Sequence, residues 1–186
     1  AVQGSAQIKA EIDQLRAQAA DLQRKGQFDK LAEIQYGRLP ELEGRYVRLR
    51  PLRRADTRAL LAVLADPSVS RWWGTYDAAK VERDFFDPAW AYTYLVEVDG
   101  ATIGLVQFHE VPDPDYKHAG VDITLDGAHQ NQGLGTEVLQ VLIRYLIDGR
   151  GHHRITIDPA ADNARAIHTY EKGGFKPVGI MRRYER

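Results

Sequence analysis

The sequence predicts a mixed α/β domain, a mostly antiparallel sheet flanked by helices, preceded by a helical leader over residues 1–43. Three observations carry that reading. A strand-like run, Gly120-Val121-Asp122-Ile123-Thr124-Leu125, leads into the turn Gln130-Asn131-Gln132-Gly133-Leu134-Gly135-Thr136. A helical pattern of Val138, Leu139, Val141, Leu142, Tyr145 and Leu146 follows it. Two alternating runs, Tyr92 to Val98 and Thr102 to Glu110, meet at Asp99-Gly100, a two-residue hairpin signal. The first 43 residues instead repeat Ile8, Ile12, Leu15, Ala19 and Leu22 at spacings of three and four, a coiled-coil-like seam.

The elements follow in order. Gly26 interrupts the leader seam, and Phe28, Leu31 and Ile34 suggest a second short helix before Pro40. Tyr46 to Leu52 alternates as a first strand, and Arg53-Arg54-Ala55-Asp56 leads into a helix near residues 57–64. Asp66-Pro67 is read as its stop, with Trp72-Trp73-Gly74 beyond it and a further short helix over Val81 to Phe86. Pro112 to Lys117 reads as a loop. Helix 135–147, strand 154–157, helix 163–172 and strand 176–184 complete the pattern.

Composition narrows the function classes. A hydrophobic fraction of 44% and a charged fraction of 27% are those of a globular domain. There is no cysteine, which excludes a disulfide framework, a thiolate zinc site and a cysteine nucleophile. The six histidines show no metal-ligand spacing, so no metal is expected, and His152-His153 reads as a surface turn. No membrane partner and a cytoplasmic location are expected, since no apolar run reaches spanning length. From Trp72 to Asp126 there are 11 acids against three bases, while the flanks are net basic. That middle attracts cations and repels nucleic acid, so no nucleic-acid partner is expected.

The glycine-bearing turn opens a helix, whose first N–H groups and positive dipole end suit a phosphate. It lacks the Gly-Lys-Ser/Thr ending of a P-loop and the three-glycine spacing of a dinucleotide fingerprint. A second block lies downstream, Asn163-x-x-Ala166-x-x-x-Tyr170-x-x-x-Gly174-Phe175. Together with Gln130-x-x-Gly133-x-Gly135, it resembles the two signature blocks of the GCN5-related N-acetyltransferase (GNAT) superfamily, over roughly residues 45 to 186. The resemblance implies that fold and acetyl-CoA as cosubstrate. It implies a pyrophosphate seat at Gln130, Gln132, Gly133, Leu134, Gly135 and Thr136, with Asn163 as a further cofactor contact or a helix N-cap. The Gln130 side chain reads either as a ligand contact or as a solvated turn residue.

Tyr170 stands where the superfamily commonly places a tyrosine near the CoA sulfur, and the resemblance assigns it proton donation. Gly120-Val121-Asp122, Trp72-Trp73-Gly74 and Asp158-Pro159 are similar to the aminoglycoside 6′-N-acetyltransferases within that superfamily. This implies Asp122 as base or ammonium ligand, and Trp72, Trp73 and Asp158 as substrate contacts. Paired tryptophans also suit a core, and Asp158 also suits a turn cap. The expected partner is a small polycationic amine, an aminoglycoside whose 6′-amine is acetylated, and the acidic middle supplies further candidate carboxylates for it, including Asp113, Asp115 and Glu110. Rival readings are a protein N-terminus, lysine or siderophore amine as acceptor, or a non-catalytic acetyl-CoA-binding or interaction module.

Two expectations concern the ends. The wording from Gly26 to Glu43 resembles the middle coiled-coil domain of ClpB-type chaperones, so residues 1–43 read as a fusion-derived leader, or as a docking hairpin, ahead of an acetyltransferase domain over 44–186. The superfamily's closing strand has no counterpart after the run ending near Arg183. An open sheet edge or the leader helices are therefore candidates for homo-oligomer contacts.

Overall fold

The computed structural model describes residues 39–86, 91–111, 113 and 115–182, with Ala17, Asp21 and Arg24 as isolated helical positions in the leader. The leader seam, its second helix and the chaperone-like wording before Leu39 lie outside these residues. A six-stranded sheet forms the centre, in the order β1 (Leu42–Glu43), β2 (Arg48–Pro51), β3 (Tyr92–Val98), β4 (Ala101–Val111), β5 (His118–Leu125) and β6 (Ile155–Thr156). Neighbours are antiparallel except β5 and β6, which run parallel. The predicted hairpin forms at Asp99-Gly100, where both residues adopt positive φ, +49° and +79°.

The helices are α1 (Thr57–Leu64), α2 (Pro67–Trp73), α3 (Ala78–Phe85), α4 (Leu134–Arg144) and α5 (Ala164–Lys172). Asp66-Pro67 does not merely stop α1. The Asp66 carboxylate accepts the Ser68 N–H at 2.8 Å, and Pro67 takes the first position of α2, where a missing N–H is harmless. Trp72-Trp73 therefore ends a second helix rather than lying in the loop after the first. The predicted helix 135–147 changes at Tyr145 into a π turn, Tyr145–Gly149. The strand expected over 176–184 is absent from its described part: residues 176–182 carry no ladder, and Val178, Ile180 and Met181 are exposed. A strand needs a neighbour to complete its backbone hydrogen bonds, and β6 offers two residues.

Side-chain parity divides the sheet into two faces. Val138, Leu139 and Leu142 of α4 pack on one face with Tyr94, Val96, Val106, Phe108, Ala119 and Val121. On the other, Leu60 and Leu64 of α1, Val81 and Phe85 of α3, Leu95 and Leu105 form a second cluster. A register shift at Val96/Glu97 puts one extra residue into β4 before Gly104. Ile103 thus joins the α4 face although Leu105, two residues on, joins the other. Beyond that bulge, the odd positions of β4 and the even positions of β5 share the face opposite α4. Gln107, His109, Gly120 and Asp122 fall there together.

One charged network fastens β2 to β3. Arg50 donates to Asp56 through both terminal nitrogens, at 2.9 and 3.0 Å, and through Nε to Glu97 at 2.9 Å. The three side chains are only 13%, 17% and 10% exposed. Burial raises the Asp56 pKa, but hydrogen bonds from Arg50 and the Arg53 backbone outweigh it and hold the carboxyl below its usual range. A depressed native pKa stabilises the fold above the unfolded pKa, and that contribution is lost as pH falls through the native value. Arg50→Met is expected to cost about 3 kcal/mol at neutral pH, read from denaturant unfolding. The gap to wild type should shrink as pH falls through the depressed native pKa of Asp56 and its carboxyl is protonated. Equal stability at neutral pH would show that the network contributes nothing.

Candidate active site

The turn after β5 is held by tertiary hydrogen bonds. Gln130 donates through Nε2 to the Leu125 carbonyl at 2.7 Å and to Ser68 Oγ at 3.0 Å, and its Oε1 accepts from Arg165 of α5. Asp66 Oδ2 accepts the Gly127 N–H at 3.0 Å, so the N-terminus of α2 is tied to the same turn. The Gln130 amide is thus occupied by protein groups, and Arg165 braces the turn from the next helix. Gln132 folds back on the Ala128 carbonyl at 2.7 Å.

The brace presents the start of α4. Asn131 and Gly133 take φ of +60° and +83°, the left-handed region in which glycine carries no penalty. No side chain caps this helix, leaving the N–H groups of its first turn, at Leu134, Gly135 and Thr136, directed outward. The acid in that turn, Glu137, is directed elsewhere: its Oε1 accepts the Tyr46 N–H at 2.7 Å and the Val47 N–H at 3.4 Å. A Cβ on Gly135 would meet Thr169 Cγ2 at 3.3 Å, so that glycine lets α4 and α5 approach. These groups fit a phosphate ester, which needs converging N–H donors and no opposing carboxylate. Asn163 caps α5, accepting the Ala166 N–H at 3.2 Å.

At the same end of β5 the sheet face turns acidic. Asp122 accepts from Gln107 Nε2 across the strand pair at 3.2 Å. Burial, then the charges of Asp122 and Asp158, push the Tyr170 hydroxyl pKa well up, which keeps it protonated across the neutral range. Burial and the Asp122 charge also raise the Asp158 pKa, against the lowering effect of His109. The structure therefore brings Asp122, Asp158 and Tyr170 within electrostatic reach of one another.

The tryptophans divide. The Trp73 ring stacks on Phe85 with centroids 6.2 Å apart and packs on the α1–α3 cluster, whereas Trp72 lies under Arg71. Sequence reading passed over Tyr76, whose ring lies 5.3 Å from that of Phe85. Burial, an interaction with Asp84 and the Asp122 charge push its pKa up to about 12. Gln107, beside Asp122, was passed over too. An amide within an apolar strand was the signal available for it.

Two expectations are corrected. His152 is not a surface residue: it is 3% exposed, and its Nε2 lies 2.5 Å from Glu110 Oε1. Glu110, a candidate for the acidic site, faces α4 instead, where it pairs with the Arg150 guanidinium and meets His152 Nε2, because even positions of β4 point that way. Among the described residues no group of three His, Asp or Glu could hold a metal ion, and no helix is long and apolar enough to cross a membrane.

An open helix N-terminus at the carboxyl end of a strand, beside an acidic sheet face with a protonated tyrosine, fits a transferase of the kind that draws a group from a phosphorylated donor. The sequence comparison makes this specific: the acetyltransferase (GNAT) domain family matches residues 47–176, and the chain belongs to it. It is 29% identical over 155 residues to the aminoglycoside N(6′)-acetyltransferase type 1 of Klebsiella pneumoniae, covering 73% of this chain and 76% of that protein. Similarity to the spermidine N(1)-acetyltransferase of Escherichia coli K12 is 29% over 141 residues, covering 73% and 75%. The fold superposes on AAC(6′)-Ib, solved in complex with paromomycin and acetyl-CoA, with a TM-score of 0.64 and 26% identity over 72% of this chain and 85% of that one.

The positive φ at Gly133 yields a direct test. Gly133→Ala is expected to cost about 1 kcal/mol of stability and to weaken acetyl-CoA binding in a calorimetric titration. Unchanged affinity in the folded variant would place the diphosphate elsewhere.

Proposed function

We propose that this acetyltransferase moves the acetyl group of acetyl-CoA to an amine of a polycationic small molecule, an aminoglycoside at its 6′-amine, and so confers resistance. The observation that carries the reading is the gathering of Asp122, Asp158 and Tyr170 at the end of β5 beside the donor turn, where burial, with the Asp122 charge added to it, raises the Asp158 pKa. Among the described residues neither Asp122 nor Asp158 has an ion-pair partner, and a ligand with several ammonium groups supplies one. The named substrate of the Klebsiella relative belongs to that class.

In this reading, backbone N–H groups of Leu134, Gly135 and Thr136 hold the diphosphate, supported by Gln130, Gln132, Gly133 and Asn163. Transfer forms a C–N bond and breaks a C–S bond, while the amine loses one proton and the sulfur gains one. Asp122 accepts the amine proton, directly or through water, and Tyr170 donates its hydroxyl proton to the sulfur. Asp158 and Trp72 hold the rest of the acceptor. Trp73 supports the wall through Phe85. Residues 1–43 take no part in the chemistry.

A second reading has its own support. The equal similarity to a spermidine acetyltransferase suits a linear polyamine acceptor, which the same carboxylates satisfy. Free-thiol release from acetyl-CoA, measured with kanamycin, spermidine and an acceptor peptide, separates the readings. Turnover with kanamycin and none with the peptide is expected. Asp122→Asn and Tyr170→Phe should each lower kcat by about a hundredfold or more. Wild-type turnover in both variants would refute the assigned roles.

A further inference from the structure

Gly120 stands opposite His109 of β4, on the sheet face that also carries Gln107 and Asp122. A Cβ built on Gly120 would lie 2.0 Å from His109 Cε1, 2.4 Å from Nε2 and 2.9 Å from Nδ1. The imidazole therefore fills the space that a side chain at position 120 would take. Glycine is required there by close approach, and any larger residue displaces the ring. His109 is exposed and hydrogen-bonds to no other described residue.

The seat of the ring borders the acidic end of the sheet. Thr156 of β6 flanks Gly120 on its other side, and Asp158 lies two residues beyond Thr156. Burial and the Asp122 charge raise the Asp158 pKa, and the His109 charge opposes them, so ring and carboxylate face the same space. His109, Thr156 and Asp158 are all exposed, so an acceptor reaches them from solvent. The other titratable and charged groups around this floor are Asp122, Tyr170 in reach of both carboxylates, and Tyr76 in reach of Asp122. On β5 beyond Gly120 stands His118, with Arg154 3.1 Å from its Nδ1.

The ring has two chemical states with opposite consequences. A neutral imidazole offers one nitrogen that accepts a hydrogen bond, whereas an imidazolium offers two donors and no acceptor. Neutral His109 adds an acceptor beside the Asp158 carboxylate. The cation instead takes the place of a ligand's positive charge.

We propose that His109, seated on Gly120, forms with Asp158 a second nitrogen subsite for the acceptor, apart from the reacting amine at Asp122, and so selects acceptors with two or more amino groups. The inference rests on the acetyltransferase reading above and deepens it. One ammonium donates to Asp158 and to the neutral ring, while another amine of the same molecule stands at Asp122. Protonation of the ring closes the subsite, because it removes the accepting lone pair and sets a like charge against the ammonium.

The test uses the full chain, with acetyl-CoA as donor and whichever of kanamycin and spermidine turns over as acceptor. His109→Phe keeps a flat ring and removes both nitrogens. His109→Gln supplies an amide oxygen that accepts. Gly120→Ala leaves the histidine in the chain but pushes it from its seat. Expected for His109→Phe is a rise of about tenfold or more in the acceptor KM, with kcat and acetyl-CoA affinity little changed. His109→Gln should recover most of that loss. Gly120→Ala should raise the KM as His109→Phe does, and the double variant should be no worse than either, since both remove one contact. Between pH 8 and pH 6, acceptor affinity should fall further in wild type than in His109→Gln, whose amide does not titrate.

A merely structural His109 would lower the melting temperature in each variant and leave the acceptor KM where it stands. Folded His109→Phe with a wild-type acceptor KM would overturn the proposal and leave the acetyltransferase reading intact. Losses that add in the double variant would do the same, and if Gly120→Ala does not fold, the two His109 variants and the pH comparison decide. Turnover with the acceptor peptide alone would also overturn the proposal. Absence of thiol release from wild type with any of the three acceptors would overturn the acetyltransferase reading, and the proposal with it.

Discussion

The site depends on one side-chain amide. Gln130 joins the end of β5, the N-terminus of α2 and the body of α5 through Leu125, Ser68 and Arg165. Each partner comes from a separate part of the chain, so the turn is fixed by tertiary structure and not by its glycines. The glycines permit the left-handed backbone at Gly133, and Gln130 determines where that backbone sits. With the turn anchored, the uncapped start of α4 and the acidic end of β5 keep a constant separation. Acyl transfer requires that constancy, since small displacements of the reacting groups are costly in rate.

The second constraint is parity. The extra residue of β4 reverses the alternation after Ile103 and so chooses which side chains share a face with Asp122. Glu110 falls on the α4 side, where burial raises its pKa but Arg150 and His152 outweigh that effect and hold it low. Asp122 falls on the other side, and among the described residues no ion pair neutralises it. The acidic middle of the chain therefore separates into a neutralised structural part and an uncompensated part. Only the uncompensated part has reason to attract a polycation.

Much of this was legible in the sequence, for reasons that can be named. The hairpin at Asp99-Gly100 and helix α1 emerged because turn chemistry and apolar period agree there. Asp122, Asp158 and Tyr170 are singled out by motif resemblance alone, and the fold brings them within electrostatic reach of one another. Pro67 was read in part: Asp66-Pro67 does mark the end of α1, but the acidic N-cap before the proline also makes it the start of α2. The run 176–182 has strand-like alternation but no neighbour with which to pair. His152 was misplaced because its partner, Glu110, is 42 residues away. Tyr76 carries no local signal, since it gains its meaning from Phe85 of α3, and Gln107 carries only that of an amide within an apolar strand.

The central claim is that donor recognition rests on a turn held in place by Gln130. The most direct measurement is calorimetric titration of acetyl-CoA into wild type and into Gln130→Leu, after thermal melting has shown both folded. Affinity should fall by about tenfold or more, a free-energy loss of about 1.4 kcal/mol or greater. Equal affinity in the two proteins would contradict the claim and leave the glycine turn sufficient by itself.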